Sequence, residues 1–493
     1  MLFNQPPFEC TPEQREAFQR ARLSQDARFD GKFFTAVITT GIFCRPVCRV
    51  KPPKEENVRY LPNAVVAQQQ GFRPCKRCLP ELAPEPQIPM SELQLKNALI
   101  TCLGDIKAAA CSCQLSERQF RRNFTQHFGL SPNQFWQQHR LLNALRLLRN
   151  SDLAIGQVAF ASGFNSVRRF NEAIKELYGK PPKQLLTNDK PTDNSSNEVK
   201  ITLNYKGEFD WPLMLSFFRL RQISEIECVT EHDYARVFDL NNAQGYFKVT
   251  HHESEQALLL TVSCNNYQIL PLLISKVRKM FDLDADMKQI HQTIKQHASI
   301  EKVIKHSPGL RLPGCFDLFE FTIRAILGQQ VSVKAATTLA KRICLRYGKS
   351  ASTNTLGMTH TFPSVEALTQ ASFEGLGLTQ SRIDTLKLWV SYYRENHNVF
   401  NYYQDIDSLQ NTLVQLKGIG PWTVNYIAMR GLSDPDAFPS ADLGIIKALS
   451  PAGCAPKERI KNKAILALAE HWRPWRAYAA IYLWHSLALQ EEQ

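Results

Sequence analysis

The sequence predicts a multidomain protein that is mainly α-helical with α+β parts, and three observations predict it. Its 493 residues are several times the roughly 100–150 of an ordinary domain. Two stretches of turn formers without periodicity, LPELAPEPQIP at 79–89 and TNDKPTDNSSNE at 187–198, read as connectors. The pieces they separate differ in pattern: a cysteine-rich head, a block of helical repeats, a segment with strand-like runs such as ALLLTVSC, and long helical periodicity from about residue 286 onward. The expected domains are therefore a metal-binding α+β head at 1–84, two side-by-side helix-turn-helices at 90–187, an α+β subdomain at 199–285 and an all-α domain at 286–493.

Hydrophobic residues make up 44% of the chain and charged residues 21%, as in a globular protein, which excludes general disorder. The first thirty residues lack a basic start followed by an apolar core, and no apolar run reaches the ~18 residues of a membrane span. A cytoplasmic protein without membrane partners is expected. The net charge of +13 is uneven: residues 1–186 carry 26 basic against 15 acidic side chains, a balance of +11, whereas 199–493 carry 32 against 28, a balance of +4. A polyanion is one reading of the basic front, and a solvated Lys/Arg surface is the other. Thirteen cysteines, an odd number without a secretory signal, argue against a disulfide framework.

In the head, GIFCRPVC separates Cys44 from Cys48 by three residues and GFRPCKRC separates Cys75 from Cys78 by two, with 26 residues between the pairs. Two short loops can converge four thiolates on one tetrahedral Zn2+ at about 2.3 Å. Buried free thiols or redox chemistry are the competing readings, and spacing does not say whether the zinc is structural or reactive. Cys10, Cys102, Cys111, Cys113 and the five later cysteines lack paired spacing and are expected mostly as small core residues.

Residues 10–80, through FFTAVITTGIFCRPVCRVKPPKEENVRYLPN and GFRPCKRC, resemble the N-terminal domain of the adaptive-response (Ada) DNA repair proteins. The resemblance implies a zinc site of Cys44, Cys48, Cys75 and Cys78 in which Cys44 accepts the methyl group of a methylated DNA phosphate. A Zn(Cys)4 centre has net charge −2, so its thiolates stay nucleophilic at neutral pH. One transfer leaves S-methylcysteine and a charge of −1, which removes repulsion toward a phosphate of on the order of 2 kcal/mol at ~8 Å and an effective dielectric of ~20. The site is expected to act once and then report that it has acted.

In the helical block Ser116 and Gln119 form a capping-box pattern, and Phe120, Phe124 and Phe128 share one face, opposite Arg118, Arg121 and Arg122. A second unit follows, with Gly163 at the turn, Asn165 or Ser166 as cap, Phe170 and Ile174 inward and Arg168, Arg169 and Lys175 outward. Paired helix-turn-helices entering successive major grooves fit this pattern, and so does a helical bundle with a charged surface. Residues 93–186 resemble the AraC-type DNA-binding domain in the AxxxGF turn and the closing YGKPPKQL. That implies double-stranded DNA as a partner, RNA polymerase as a partner in activation, and no need for a dimer, since both recognition helices lie in one chain.

In LVQLKGIGPWTVNYIAMRG, Gly418, Ile419 and Gly420 lie between two helical patterns. A Gly-x-Gly turn lets backbone N–H groups face a phosphate, although alone it is more often an ordinary turn. FPSADLG places Asp442 where a helix could begin, and capping is the common fate of such an aspartate. Residues 199–493 resemble the AlkA-type 3-methyladenine DNA glycosylases of the helix-hairpin-helix superfamily, also through LNYKGEFDWPLMLSFF, GLRLPGCFDLFEFTIRAILGQQVSVKAA and WRPWRAYAAIYLWH. The resemblance implies Asp442 as the catalytic carboxylate and Phe217, Trp422, Tyr426 and Trp484 as the base pocket, each of which taken singly would be a core residue.

A flipped, cationic alkylpurine would stack there while Asp442 stabilises the oxocarbenium-like sugar and positions water. Trp422 stands where strand-nicking relatives carry a Schiff-base lysine, so an abasic product is expected. Gln330 takes the place of an apolar wedge and Leu443 that of an aromatic, which bears on substrate range. No PCHR motif occurs, so O6-alkylguanine transfer is not expected. The whole reads as an alkylation sensor and transcription activator fused to a base-excision glycosylase. Two rivals are a regulator with an inactive glycosylase-like half and a zinc-redox regulator.

Overall fold

A computed structural model describes residues 10–25, 29–48, 50–78, 80, 83, 90–184, 198–241, 243–401, 406–451 and 453–491. The stretches 79–89 and 187–198, read above as connectors, lie almost entirely outside the described residues. The chain divides into two compact units, Met1–Ser196 and Asn197–Gln493.

In the first unit a small sheet has the spatial order Val58–Leu61, Phe34–Val37, Ile42–Cys44, Arg73–Pro74. The first three strands pair antiparallel, while Ile42–Cys44 and Arg73–Pro74 run parallel. Phe34, Phe43, Leu61 and Phe72 bury one face. The Pro12–Leu23 helix, with a Thr11/Gln14 capping box, covers the other through Phe18, which stacks on Phe33 with centroids 4.3 Å apart. The helical block forms as its pattern predicts. Ser116 and Gln119 close a capping box at the start of Glu117–Phe128, and Phe120, Phe124 and Phe128 are buried.

In the second helix-turn-helix Ser166 caps Val167–Tyr178, and Phe170 and Ile174 are buried. Gly163 has φ +80°, and Arg140 fixes the turn by donating to its carbonyl at 2.6 Å with its guanidinium 4.8 Å from the Phe164 ring centroid. A non-glycine residue would be strained there.

The second unit opens with a five-stranded antiparallel sheet in the order Val199–Asn204, Ala257–Cys264, Ala243–His252, Asp233–Leu240, Glu227–Val229. Helices dominate from Met287 onward, interrupted by a two-stranded hairpin, Ser350–Thr355 with Met358–His360, which an all-α reading of 286–493 did not include. Its short polar strands have neither a helical period nor a buried run to announce them.

Sheet and helices are joined by buried charge. Arg236 lies between Glu227, at 2.8 Å, and Glu320, while Arg324 reaches Glu320 at 3.0 Å and Glu227 at 3.5 Å. Glu227 and Arg236 are register partners on adjacent strands, and Glu320 and Arg324 lie one turn apart on Leu318–Leu327. Removing one member of such a set would leave an uncompensated buried charge, at a cost of about 3–5 kcal/mol.

A second junction centres on Asp282, whose carboxylate accepts from the Tyr478 hydroxyl at 2.9 and 3.0 Å and from the Leu312 N–H at 3.1 Å. Burial pushes this carboxyl up to about 7, against the opposing pull of Arg311 and of those two donors. The unfolded group ionises near its ordinary value of ~3.9. Between those values the folded state keeps a proton that the unfolded state has lost, so this group's contribution to stability is lost as pH rises from about 4 to 7. Asp282→Asn, which cannot ionise, should therefore gain stability relative to wild type across that window in urea unfolding followed by tryptophan fluorescence. A constant difference would show that the carboxyl does not titrate there.

Candidate functional sites: a four-cysteine centre and a ring-lined cavity

The four paired cysteines converge because both loops begin at the ends of neighbouring parallel strands. Ile42–Cys44 ends in the first ligand, and Arg73–Pro74 runs beside it directly into Cys75, whose N–H donates to the Phe43 carbonyl at 3.0 Å. The sulfurs of Cys44, Cys48, Cys75 and Cys78 all lie within 4.8 Å of one another. A tetrahedral ion with bonds of ~2.3 Å needs them about 3.8 Å apart, so four thiolates at this spacing suit Zn2+.

Arg45 clasps the two loops. Its N–H donates to Cys78 Sγ and its Nη1 to the Cys78 carbonyl, both at 3.3 Å, and its guanidinium pairs with buried Asp30. Backbone N–H groups of Val50 and Cys78 face Cys48 and Cys75. Of the nine other cysteines only Cys344 is buried, while Cys111 is exposed and the rest are half-buried. The expectation that most are core residues is corrected: Cys10, Cys228 and Cys315 pack only partly buried against core clusters, and Cys102, Cys113, Cys264 and Cys454 are likewise half-buried.

Arg118, Arg121 and Arg122 are exposed on Glu117–Phe128, and Arg168 and Arg169 are exposed on Val167–Tyr178. Arg121 and Arg168 make solvent-facing i,i+4 pairs with Glu117 and Glu172. Such pairs are worth little and can exchange for another anion.

In the second unit a cavity of about 380 Å³ is lined by Phe217, Trp422, Tyr426, Asp442 and Trp484, among others. Asp442 caps Leu443–Leu449: its Oδ1 accepts from the N–H groups of Gly444 at 2.8 Å and Ile445 at 3.1 Å. It is also the polar centre of the cavity, because Trp484 Nε1 donates to Oδ1 at 2.8 Å and Trp422 Nε1 to Oδ2 at 2.9 Å. Capping and site membership are thus one arrangement. An ionised carboxylate, which only accepts, can take all four N–H donors.

Trp422 stacks on Tyr426, one helical turn on, with centroids 5.2 Å apart and planes 13° from parallel, and Trp484 tilts at 60° to Tyr426. Gly444 permits this approach: a Cβ there would lie 2.8 Å from Trp484 Cδ1 and 3.0 Å from Asp442 Oδ1. Leu443 is 66% exposed and turned away from the buried core.

The hairpin connects Ile406–Val414 to Pro421–Tyr426. Gly418 has φ +91°, and a Cβ there would meet Thr385 Oγ1 at 2.0 Å, whereas at Gly420 it would meet nothing within 4 Å; Ile419 is buried beneath them. Gln330, exposed with φ +57°, occupies a loop tip. It does not line the cavity, whereas its neighbour Val331 does. Gln329 ties that loop to the hairpin, donating to the Gly418 carbonyl at 2.9 Å and to Thr423 Oγ1 at 3.0 Å.

The sequence reading did not include Arg221 and Arg430. The Arg221 guanidinium lies 3.7 Å from the Phe217 ring centroid, and that of Arg430 lies 4.5 Å from the same centroid and donates to the Tyr426 hydroxyl at 2.7 Å. Burial raises the Tyr426 phenol, but Arg430 and Arg221 outweigh it and the net shift is downward. Both arginines follow an aromatic by four residues, Arg221 just past the end of the Trp211–Arg219 helix, which is the signal that could have found them. A π-helical turn over Ile427–Gly431 carries Arg430 inward.

Four convergent thiols, two helix-turn-helices and a hairpin beside a ring-lined cavity define a modular protein of the DNA-acting class. Family models match at 17–81 (metal binding domain of Ada), 110–188 (helix-turn-helix domain) and 200–317 (AlkA N-terminal domain). The chain is 33% identical over 483 residues, 96% of each chain, to the probable bifunctional transcriptional activator/DNA repair enzyme AlkA of Mycobacterium tuberculosis. It is 30% identical to DNA-3-methyladenine glycosylase 2 of Escherichia coli over 295 residues, 59% of this chain and 99% of that one. The 3-methyladenine DNA-glycosylase of Archaeoglobus fulgidus shares the fold, with a TM-score of 0.50 at 21% identity over 57% of this chain and 97% of that one. The chain belongs to the family of bifunctional AlkA proteins, in which an Ada-type metal-binding domain and a helix-turn-helix domain precede an AlkA-type half. Its four-cysteine centre is a zinc site.

Elemental analysis should find one zinc per chain, lost in Cys75→Ser and retained in Cys344→Ser. Equal zinc in all three would place the metal elsewhere.

Proposed function

We propose that this chain is an alkylation-damage protein that couples a methyl-accepting, DNA-binding transcription activator, at 1–84 and 90–187, to a glycosylase at 199–285 and 286–493 that removes alkylated purines from double-stranded DNA. The observation that carries the glycosylase reading is the Asp442 carboxylate, set among rings at a cavity and held by four N–H donors. The cavity suits a single flipped base. Trp422, Tyr426 and Trp484 supply the stacking surface, and Gly418, Ile419 and Gly420 form the turn that meets the phosphate backbone. Gln330, at the tip of the tied loop, is placed to fill the gap in the duplex.

As positive charge develops on the sugar, a fixed carboxylate stabilises it without reorganising, and the same oxygens orient the attacking water. Position 422 carries no amine, so hydrolysis ends at an abasic site. Asp442→Asn can keep the cap and the Trp484 contact on its remaining oxygen while removing the charge and the acceptor that meets Trp422, since an amide nitrogen donates. Base release from dimethyl sulfate-treated duplex should fall by about 10²-fold or more with DNA binding intact. Equal release by wild type and Asp442→Asn, or none by either, would defeat this reading in favour of an inactive DNA-binding module.

For the head, bound zinc supplies thiolates that persist near neutral pH. Cys44 is the proposed acceptor because it holds the matching position in the Ada-type head; the Arg45 N–H is already spent on the Cys78 sulfur. Cys44 Sγ attacks the methyl carbon, the S–C bond forms as the C–O bond breaks, and the phosphate leaves as an ordinary diester. The exposed arginines on the two recognition helices bind the promoter, and RNA polymerase is the partner in activation. Mass analysis after exposure to methylated DNA should show one added methyl, on Cys44, and the methylated protein should bind its promoter more tightly in a gel-shift titration. Equal affinities would remove the charge switch.

A further inference from the structure

The charges around the cavity do not balance locally. Glu227 and Glu320 are paired with Arg236 and Arg324, Asp317 faces Lys276 at 3.8 Å, and Asp442 takes its four neutral donors. Arg221 and Arg430 remain, with no carboxylate within 4.0 Å among the described residues. Arg430 is 4% exposed and committed: its Nε donates to the Pro313 carbonyl, its Nη1 to Tyr426 and its Nη2 to the Gly314 carbonyl.

Arg221 is different. It is half-buried against the cavity, with its guanidinium over the Phe217 ring, Nη1 donating to the Phe217 carbonyl at 3.1 Å and the guanidinium against the Tyr426 hydroxyl. A guanidinium has five N–H donors, so these two contacts leave several unmet. Burial, its largest influence, weakens its hold on its proton, as expected of a cation without a counter-ion. Its position also removes a face of Phe217 from stacking, leaving Trp422, Tyr426 and Trp484 as the ring surface open to a base.

Resting on the glycosylase reading above, we infer that Arg221 is a specificity-determining residue that reads the edge of the flipped base: its unmet N–H donors require lone pairs, so the pocket favours 6-oxo purines over 6-amino purines. A carbonyl accepts a charge-assisted hydrogen bond from the guanidinium, whereas an amino group in the same place sets donor against donor and leaves both without a partner. Stacking cannot make this distinction, because both classes present the same ring face.

The test is the release of 7-methylguanine and 3-methyladenine from one dimethyl sulfate-treated duplex, quantified by mass spectrometry for wild type and Arg221→Met. Both bases are cationic, one oxo and one amino, and their different bond labilities cancel when each variant rate is divided by the wild-type rate. Arg221→Met should lower 7-methylguanine release about tenfold or more relative to 3-methyladenine. Arg221→Lys, which keeps the charge and some donors, should restore part of the ratio. Should Arg221→Met not fold, Arg221→Leu, which also removes every donor, carries the same comparison. A proportional fall in both bases, or an unchanged ratio, overturns the assignment and makes Arg221 a structural residue. No release of either base by wild type would instead defeat the glycosylase reading.

Discussion

One carboxylate organises the second unit. Asp442 begins a helix, receives an indole N–H on each oxygen, and so fixes the edges of Trp422 and Trp484 relative to one another. Each partner depends on a local feature of the chain. Trp422 sits one residue into the helix that follows the hairpin, and Trp484 projects from Arg476–Glu491 across a residue that must be glycine. A capping aspartate ordinarily satisfies only its own helix. Here the second oxygen and a second lone pair are turned outward to the rings, so the group that ends the loop also builds the pocket.

Electrostatics divides the charged residues that line the cavity into two groups. The Glu227, Arg236, Glu320 and Arg324 set is internally matched and ties two strands to a helix. Arg221 and Arg430 are unmatched by carboxylates and meet aromatic faces and carbonyls instead. Matched charge fixes geometry, Arg430 is held by carbonyls and a hydroxyl, and Arg221 alone of the pair keeps donors open to the cavity, so the arginines of one cavity have different uses. The head follows the same division: Arg45 is matched by Asp30 and positions the cysteine loops.

Much of this was legible in the sequence for physical reasons. Paired cysteines at three- and two-residue spacings have few folded solutions, and the capping boxes and phenylalanine spacing of 116–128 act within one or two turns. Asp442 was legible as a cap from the Pro-Ser turn before it, whereas its place at the cavity was expected only through the resemblance of 199–493 to the 3-methyladenine glycosylases. What was not legible depends on pairing over distance. Glu227 and Arg236 alternate with apolar residues as solvent-facing charges would, and only the fold shows Glu320 and Arg324 beneath them. Arg221 and Arg430 look like surface residues of amphipathic helices until Phe217 and Tyr426 are placed on the same face. The cysteines outside the head misled in the other direction, since the general burial of free thiols did not extend to Cys111 or its half-buried counterparts.

The side chain of Gln329 joins two loops that the chain makes 89 residues apart, the tip bearing Gln330 and the turn at Gly418. Bonded through a carbonyl and a hydroxyl at once, that side chain holds the two together. If one prong grips the sugar-phosphate strand and the other enters the helix, the span between grip and probe is set by protein alone. On the glycosylase proposal, such a caliper would keep a constant number of nucleotides between held phosphate and probed base, whatever the surrounding sequence.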